Sequence, residues 1–527
     1  MRHLFFLLSL SMAMNGFAQN SAPPQPKNDP RFKNKPLLIR GPYLQVATDT
    51  SMVVRWRTDA STRSRVRYGT VAGNLNLVKD ELELKTEHEI KLSALQPQTK
   101  YYYSIGSLQD TLQYGPDTYF YTLPPRGNQG FYRVGVFGDP GSLSVNQANV
   151  RDQFVKYLGN DVLNAWILLG DNAYNDGSDM EYQAKFFTIF QEKLLKKYPV
   201  FPNPGNHDYH DVDFTADYAQ NNHSTAYYQN FSMPVNGEGG GVASHNKAFY
   251  SFDLGNIHFL SLDSYGKEEN TYFLFDTLGP QVQWVKKDLE ANRNTEWVIA
   301  FWHHPPYSMG THNSDSDGIM TSIRQNFIGI LERYGVDLII CGHSHVYERS
   351  GLMNNYFGKE ADFDEKKYGM SPSSGLYNGS KNSCPYIKDV YPARGTVYIV
   401  SGTSSYVGKP EASFPHAAMR YSNATDVGAG MLEVQGNRLD FKWICADGVI
   451  RDQFTMMKDV NKTSTIRAKK GQIVTLTASF ISDKYNWNKA GADQRTIEVI
   501  PPAGKTVYTV QDKFGCLKDR FEVEVSK

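Results

Sequence analysis

Cysteine is scarce in this chain: Cys341, Cys384, Cys445 and Cys516 are four of 527 residues, irregularly spaced and without a Cys-x-x-Cys pair. That excludes a disulfide-built scaffold and a thiolate-bound structural zinc. A Cys384–Cys445 bridge can be drawn, without support from the pattern, and Cys341, at the end of an apolar run, reads as a buried free thiol. Net charge is also absent, because Lys plus Arg and Asp plus Glu both total 55 and the pI is about 7.2. No global attraction to nucleic acid or to an acidic membrane follows. Beyond the N-terminus no run of about 18 apolar residues occurs, so no transmembrane helix is expected.

What is present points to export and to several domains. Met1-Arg2-His3, the apolar run Leu4 to Ala13 and then Gly16-Phe17-Ala18 have the layout of a secretory signal, cut after Ala18 and followed by a Pro/Asn/Lys-rich linker over 19–35. Aromatic residues reach 13% with 33 tyrosines, a composition common in β-rich extracellular proteins. Residues 36–125 hold short β-type runs such as Met52 to Trp56 and Lys100 to Ile105, the spacing of a small sandwich. Between 130 and 460 apolar strands (Tyr132 to Phe137, Ala165 to Leu169, Val298 to Phe301, Leu338 to Cys341) alternate with helical stretches (Gln281 to Leu289, Ile323 to Tyr334). Ser251 to Leu262 reads as a hairpin turning at Gly255-Asn256. Ser350 to Arg394 is polar and aperiodic, and reads as an insertion on the active face. Residues 462–527 are again strand-like and resemble the immunoglobulin-like repeats at the C-termini of secreted bacterial proteins, with cell-envelope attachment or a stabilising cap as the alternatives.

Five motifs follow one another within about 210 residues: Gly138-Asp139-Pro140-Gly141, Gly170-Asp171-Asn172-Ala173-Tyr174, Gly205-Asn206-His207-Asp208, Trp302-His303-His304-Pro305 and Gly342-His343-Ser344-His345. Each follows an apolar strand, and in α/β sheets the loops at that end converge. The Asp/Asn/His/Tyr mixture suits Zn, Fe or Mn. Two close cations need a bridging carboxylate, and Asp171 is the best placed.

In order, these motifs resemble those of the purple acid phosphatases, within the calcineurin-like metallophosphoesterases, and the preceding module resembles the fibronectin type III-like domain of plant-type members. The resemblance implies an α/β fold: a four-layer metallophosphoesterase β-sandwich flanked by helices, between small N-terminal and C-terminal β-sandwiches. It implies a binuclear centre of Fe(III) with Zn(II), Mn(II) or Fe(II). Asp139, Asp171, Tyr174 and His345 would hold the ferric ion, with Tyr174 the specific mark. Asp171, Asn206, His303 and His343 would hold the divalent ion. His207 would contact phosphate and protonate the leaving group, and His312 would bind substrate. Asp208 and Glu348-Arg349 would brace the site. His304 would stand behind the ligands, and His210, His223, His245, His258 and His416 match no motif and read as structural.

The expected activity is hydrolysis of a small phosphate monoester by a metal-bound hydroxide, with an acidic to near-neutral optimum. A phosphodiesterase or nucleotide pyrophosphatase using the same ligands is the alternative, and a non-catalytic surface binding protein would have lost ligands that are all present. The chain departs from the family at Ala300, where a valine is usual, and at Asn313, where plant-type enzymes often carry a second histidine after the one matched by His312. Plant-type relatives are often dimers, so a homodimer is among the expected states.

Overall fold

The computed structural model describes residues 35–209, 223–389 and 393–526. The expected signal, nearly all of the linker, and His210 lie outside them. Among the described residues no helix is long and apolar enough to cross a membrane.

Two seven-stranded sheets form the centre. One runs in the order Tyr250–Leu254, Ile257–Ser261, Trp297–Trp302, Leu338–Cys341, Val397–Ser401, Tyr347–Ser350, Met419–Asn423. The other runs Tyr386–Lys388, Ile450–Lys458, Arg438–Cys445, Gly428–Gln435, Phe131–Phe137, Ala165–Leu168, Val200–Phe201. In each, the strands that carry the motif loops are parallel neighbours, central in the first sheet and at one end of the second. Ala165–Leu168, Trp297–Trp302 and Leu338–Cys341 are buried at every position. Strands covered on both faces need continuous apolar runs, the feature by which these segments read as strands in the sequence. Helices Val145–Leu158 and Pro280–Ala291 lie among the crossovers. The first is capped by the Ser144 side chain, which accepts from the Gln147 N–H, and ends at Gly159 with φ 58°. The expected hairpin forms between Tyr250–Leu254 and Ile257–Ser261.

His258 stands in a charged triad inside the first sheet. Its Nδ1 lies 2.7 Å from Asp253 and its Nε2 2.6 Å from Asp288. Burial works against the charged ring, but the two carboxylates prevail and push it up to about 9. The folded value exceeds the unfolded one near 6.5. The triad's stabilisation, on the order of 3 kcal/mol, is therefore complete below about pH 6.5 and lost as pH rises through 9. His258→Asn is expected to lower the denaturation midpoint more at pH 6 than at pH 9.5. Equal losses at both would contradict a charged imidazole here.

The N-terminal strands Leu38–Gln45, Met52–Gly69, Leu77–Leu92, Lys100–Gly106, Thr111–Gln113 and Tyr119–Tyr121 make a six-stranded sheet around buried Trp56, whose ring stacks on His88 at 4.8 Å. This module grips the catalytic half through polar side chains. Fully buried Arg40 bonds Gln183 at 2.7 Å and pairs with Asp179 at 3.0 Å, and Arg57 reaches Asp179 at 3.1 Å. Tyr43 donates to the Asn230 carbonyl and Arg55 to that of Gln229.

The C-terminal strands form one four-stranded and one two-stranded sheet around Leu476, Phe480, Val510, Leu517 and Val523. Met457 and Tyr377 join that core. The Ser350 to Arg394 segment therefore does more than lie on the active face. Its first part does approach that side, where Tyr356 stacks on Tyr307 and the Glu360 N–H bonds Asp315. Its second part is fastened to the C-terminal sheets: Tyr377 donates to Asp512 at 3.0 Å, and Cys384 is disulfide-bonded to Cys516, 132 positions away. This corrects the Cys384–Cys445 pairing. Cys445 is a buried free thiol, like Cys341, and it ends a strand in which it pairs with Gly428.

Candidate metal centre

The two sheets bring their motif loops together at one edge. Asp139, Asp171 and Asn206-His207 leave Phe131–Phe137, Ala165–Leu168 and Val200–Phe201, three adjacent parallel strands of one sheet. His303 and His343 follow the parallel pair Trp297–Trp302 and Leu338–Cys341 of the other. Asp139, Asp171 and His343 all adopt left-handed backbone, with φ 55°, 51° and 66°. Such conformations cost non-glycine residues about 1–3 kcal/mol each and persist where the surroundings dictate them. The glycines are more than turn punctuation. A Cβ on Gly205 would lie 2.2 Å from Asp171 Oδ1, and one on Gly342 would lie 2.4 Å from Asp139 Oδ2.

Two groups of donor atoms result. In the first, His303 Nε2 lies 3.0 Å from Asn206 Oδ1, 3.2 Å from Asp171 Oδ2 and 3.2 Å from His343 Nδ1. His303 Nδ1 donates to the Leu169 carbonyl at 2.8 Å, which turns Nε2 toward the others. In the second, Tyr174 Oη lies 2.8 Å from Asp139 Oδ1 and 3.1 Å from His345 Nε2. His345 Nε2 is itself 3.4 Å from Asp139 Oδ1. Asp171 belongs to the first group, with Oδ2 toward His303 and Oδ1 accepting the His207 N–H at 2.9 Å, and its charge also acts on Tyr174 of the second.

The electrostatics fit a cationic tenant. Burial is outweighed by the neighbouring imidazoles, which hold the Asp171 carboxyl well below its usual range. Burial would likewise neutralise His303, but Asp171 pushes it up to about 9. Burial lowers His343 to about 4. Burial and then Asp139 push the Tyr174 phenol well above 10, so a phenolate there requires a positive charge beside it. Oxygen and nitrogen donors roughly 2.0–2.2 Å from a first-row cation stand about 3 Å from one another. Both groups have that spacing, and both are hard to borderline donors. The residues fit a pair of metal ions.

The remaining expected residues surround these groups. His207 is part-exposed, with its ring edge-on to Tyr174 at 4.7 Å, Nδ1 bonded to the Asn175 carbonyl and Nε2 3.9 Å from Asp171 Oδ2. The His312 ring stacks on His343 at 3.8 Å, and burial lowers its basicity with Asp317 opposing. His304 is buried against His343 at 4.2 Å and bonds Ser264. Asp208 accepts from the backbone of Asn172 at 3.2 Å and of Gly205 at 2.7 Å, tying two motif loops together. Burial, with Asp171 adding to it, pushes its carboxyl up to about 7. Glu348 accepts from Ser308, which bonds Ser344 between His343 and His345. Arg349, by contrast, pairs with Asp452 in the second sheet, away from the site.

Three residues near the donors had drawn no attention. Asp317 caps the helix Gly318–Ser322 and lies 3.9 Å from His343 Nε2. Glu181 accepts from the N–H groups of Asn175 and Asp176 at 2.6 and 2.9 Å and bonds Lys185, which reaches the Tyr174 carbonyl. Tyr406 lies 3.0 Å from His345 Nε2. Its one sequence signal is that it follows an apolar strand and a glycine, as the motif residues do.

The fold and this edge define a calcineurin-like phosphoesterase, and the family model of that description matches residues 132–347. The model described as the N-terminal domain of purple acid phosphatase matches residues 39–122, and the chain belongs to the purple acid phosphatase family. It is a metal-dependent phosphoester hydrolase. Among similar curated proteins, purple acid phosphatase 15 of Arabidopsis thaliana is 28% identical over 51% of this chain and 50% of its own length. Acid phosphatase type 7 of Mus musculus is 26% identical over 70% of this chain and 79% of its own. The chain thus spans half the length of the first and most of the second. A solved purple acid phosphatase from yellow lupin seeds shares the fold at TM-score 0.61 and 18% identity, covering 80% of this chain and 74% of that one. A PhoD structure shares it at TM-score 0.55 and 13% identity, covering 82% and 92%.

Proposed function

We infer that this is a secreted acid phosphatase acting on small phosphate monoesters. The observation that carries the reading is the convergence of Tyr174 Oη on Asp139 and His345 at 2.8 and 3.1 Å, because a tyrosine in that position is the mark of the purple enzymes. Asp139, Asp171, Tyr174 and His345 would hold Fe(III), and Asp171, Asn206, His303 and His343 would hold Zn(II), Mn(II) or Fe(II). When bound, such a pair orients a phosphate and acidifies water at near-neutral pH. The chain's own residues do the rest. His207, its Nδ1 fixed by the Asn175 carbonyl, presents Nε2 at the mouth of the site and protonates the departing oxygen. His312, stacked on His343, stands where a phosphate oxygen would need a donor as negative charge builds.

The test is the visible absorption of the metal-replete protein beside Tyr174→Phe, with metals counted and a monoester and a diester assayed in parallel. A band that the substitution diminishes, with faster monoester turnover, is expected. A colourless protein holding two metals would remove the tyrosinate, and faster diester turnover would move the reading to a phosphodiesterase or nucleotide pyrophosphatase.

A further inference from the structure

Glu181 and Lys185 stand behind the Tyr174 loop and have no part in the reading above. They lie one turn apart at the start of a continuous helical stretch, residues 179–195, whose Phe186, Phe187 and Phe190 are buried in the core. Both side chains therefore project from a fixed support. The pair closes at 2.8 Å.

Between them the two side chains take up the backbone from Tyr174 to Ser178. Lys185 Nζ donates to the Tyr174 carbonyl, and Glu181 Oε1 accepts the Asn175 N–H at 2.6 Å. Glu181 Oε2 accepts the N–H groups of Asp176 at 2.9 Å and of Ser178 at 3.3 Å. Burial opposes the charge, yet Lys185 and these N–H groups bring the carboxyl down to about 2. The segment they hold is packed against the His207 loop, since a Cβ on Gly177 would meet the His207 carbonyl at 2.6 Å.

The decisive unit is the peptide between Asn175 and Asp176. Its N–H is the one that points to Glu181, and its carbonyl is the one that accepts from His207 Nδ1. A peptide unit is planar, so fixing its N–H end aims its carbonyl end. A charged acceptor on the N–H also polarises the amide and strengthens the bond that its carbonyl accepts. The carboxylate thus reaches the imidazole through one amide.

We propose that Glu181 is a positioning residue for His207: through the Asn175–Asp176 peptide it holds the Nδ1–H, and so keeps Nε2 turned into the mouth of the site. That the departing oxygen is the target of Nε2 rests on the reading of His207 as the acid. Glu181→Gln keeps the shape but offers one oxygen where two are used, so the N–H groups of Asn175 and Asp176 can no longer both be served.

The test uses the full-length, metal-loaded protein, with rates normalised to metal counted by elemental analysis. An alkyl phosphate and a nitrophenyl phosphate are turned over by the wild type, Glu181→Gln, His207→Asn and the double variant. In Glu181→Gln, kcat for the alkyl phosphate is expected to fall about tenfold or more, with KM nearly unchanged and the nitrophenyl phosphate affected less. In the His207→Asn background the same substitution should cost nothing further, because what it positions is gone. Glu181→Asp keeps the charge at shorter reach and should recover part of the loss, and it carries the same comparison if the glutamine variant does not fold. A loss that persists in full in the His207→Asn background, or no loss at all, overturns the proposal. The acid reading fails separately: if His207→Asn slows both substrates alike while the double variant is no slower, Nε2 serves the phosphate instead and Glu181 still positions it.

Discussion

Asp171→Asn is expected to release both cations and to cost about 1,000-fold or more in activity. The Asp171 side chain turns one oxygen to His303 Nε2, at 3.2 Å, while the other accepts the His207 N–H at 2.9 Å. Asparagine keeps the size and can keep part of that geometry, but it removes the negative charge that both donor groups share. Metal counting by elemental analysis and a monoester assay on the same preparation check the expectation, with far-ultraviolet circular dichroism as the control for folding. A variant that retained two ions per chain would show that Asp171 orders the His207 loop without bridging.

His207→Asn should separate binding from bond cleavage. Its Nδ1 is committed to the Asn175 carbonyl, so the nitrogen that can deliver a proton is Nε2. General-acid assistance contributes roughly 10²–10⁴-fold, and it matters most where the departing oxygen is a strong base. Turnover of an alkyl phosphate should therefore drop by about 100-fold or more, while that of a nitrophenyl phosphate, whose leaving group needs little help, should change only a few-fold. Metal content should stay the same. Equal losses on both substrates would assign His207 to phosphate contact alone.

The motif loops were legible because each of their residues does chemistry that few residue types can do, and because each follows a run apolar enough to be a doubly covered strand. The structure places these residues as two tight groups, but their order along the chain gave no hint that three of them are strained into left-handed backbone. The polar segment from Ser350 to Arg394 was read for its composition, and composition carries no record of a partner. Its second part is fixed by contacts with Asp512 and Cys516, more than a hundred positions away. Tyr406 escaped for a related reason. Its place depends on which strand lies beside Leu338–Cys341, a matter of sheet order that local pattern does not encode. Arg349 was misjudged in the opposite direction: adjacency to Glu348 suggested a shared task, but neighbours on a strand point to opposite faces, and Arg349 turns to Asp452.

The arginines of the first module bear on how such a chain can change over time. Arg40 and Arg57 grip Asp179, two residues before Glu181, whose carboxylate holds the backbone that follows Tyr174. The ligand that would give the site its colour is therefore seated partly by a domain that supplies no ligand. A recombination event that swapped the first sandwich for an unrelated one would deliver every metal-binding motif intact and still loosen the tyrosine. Exchanging the first sandwich would therefore be felt at Tyr174, although that sandwich lies wholly before the first metal-binding motif in the sequence.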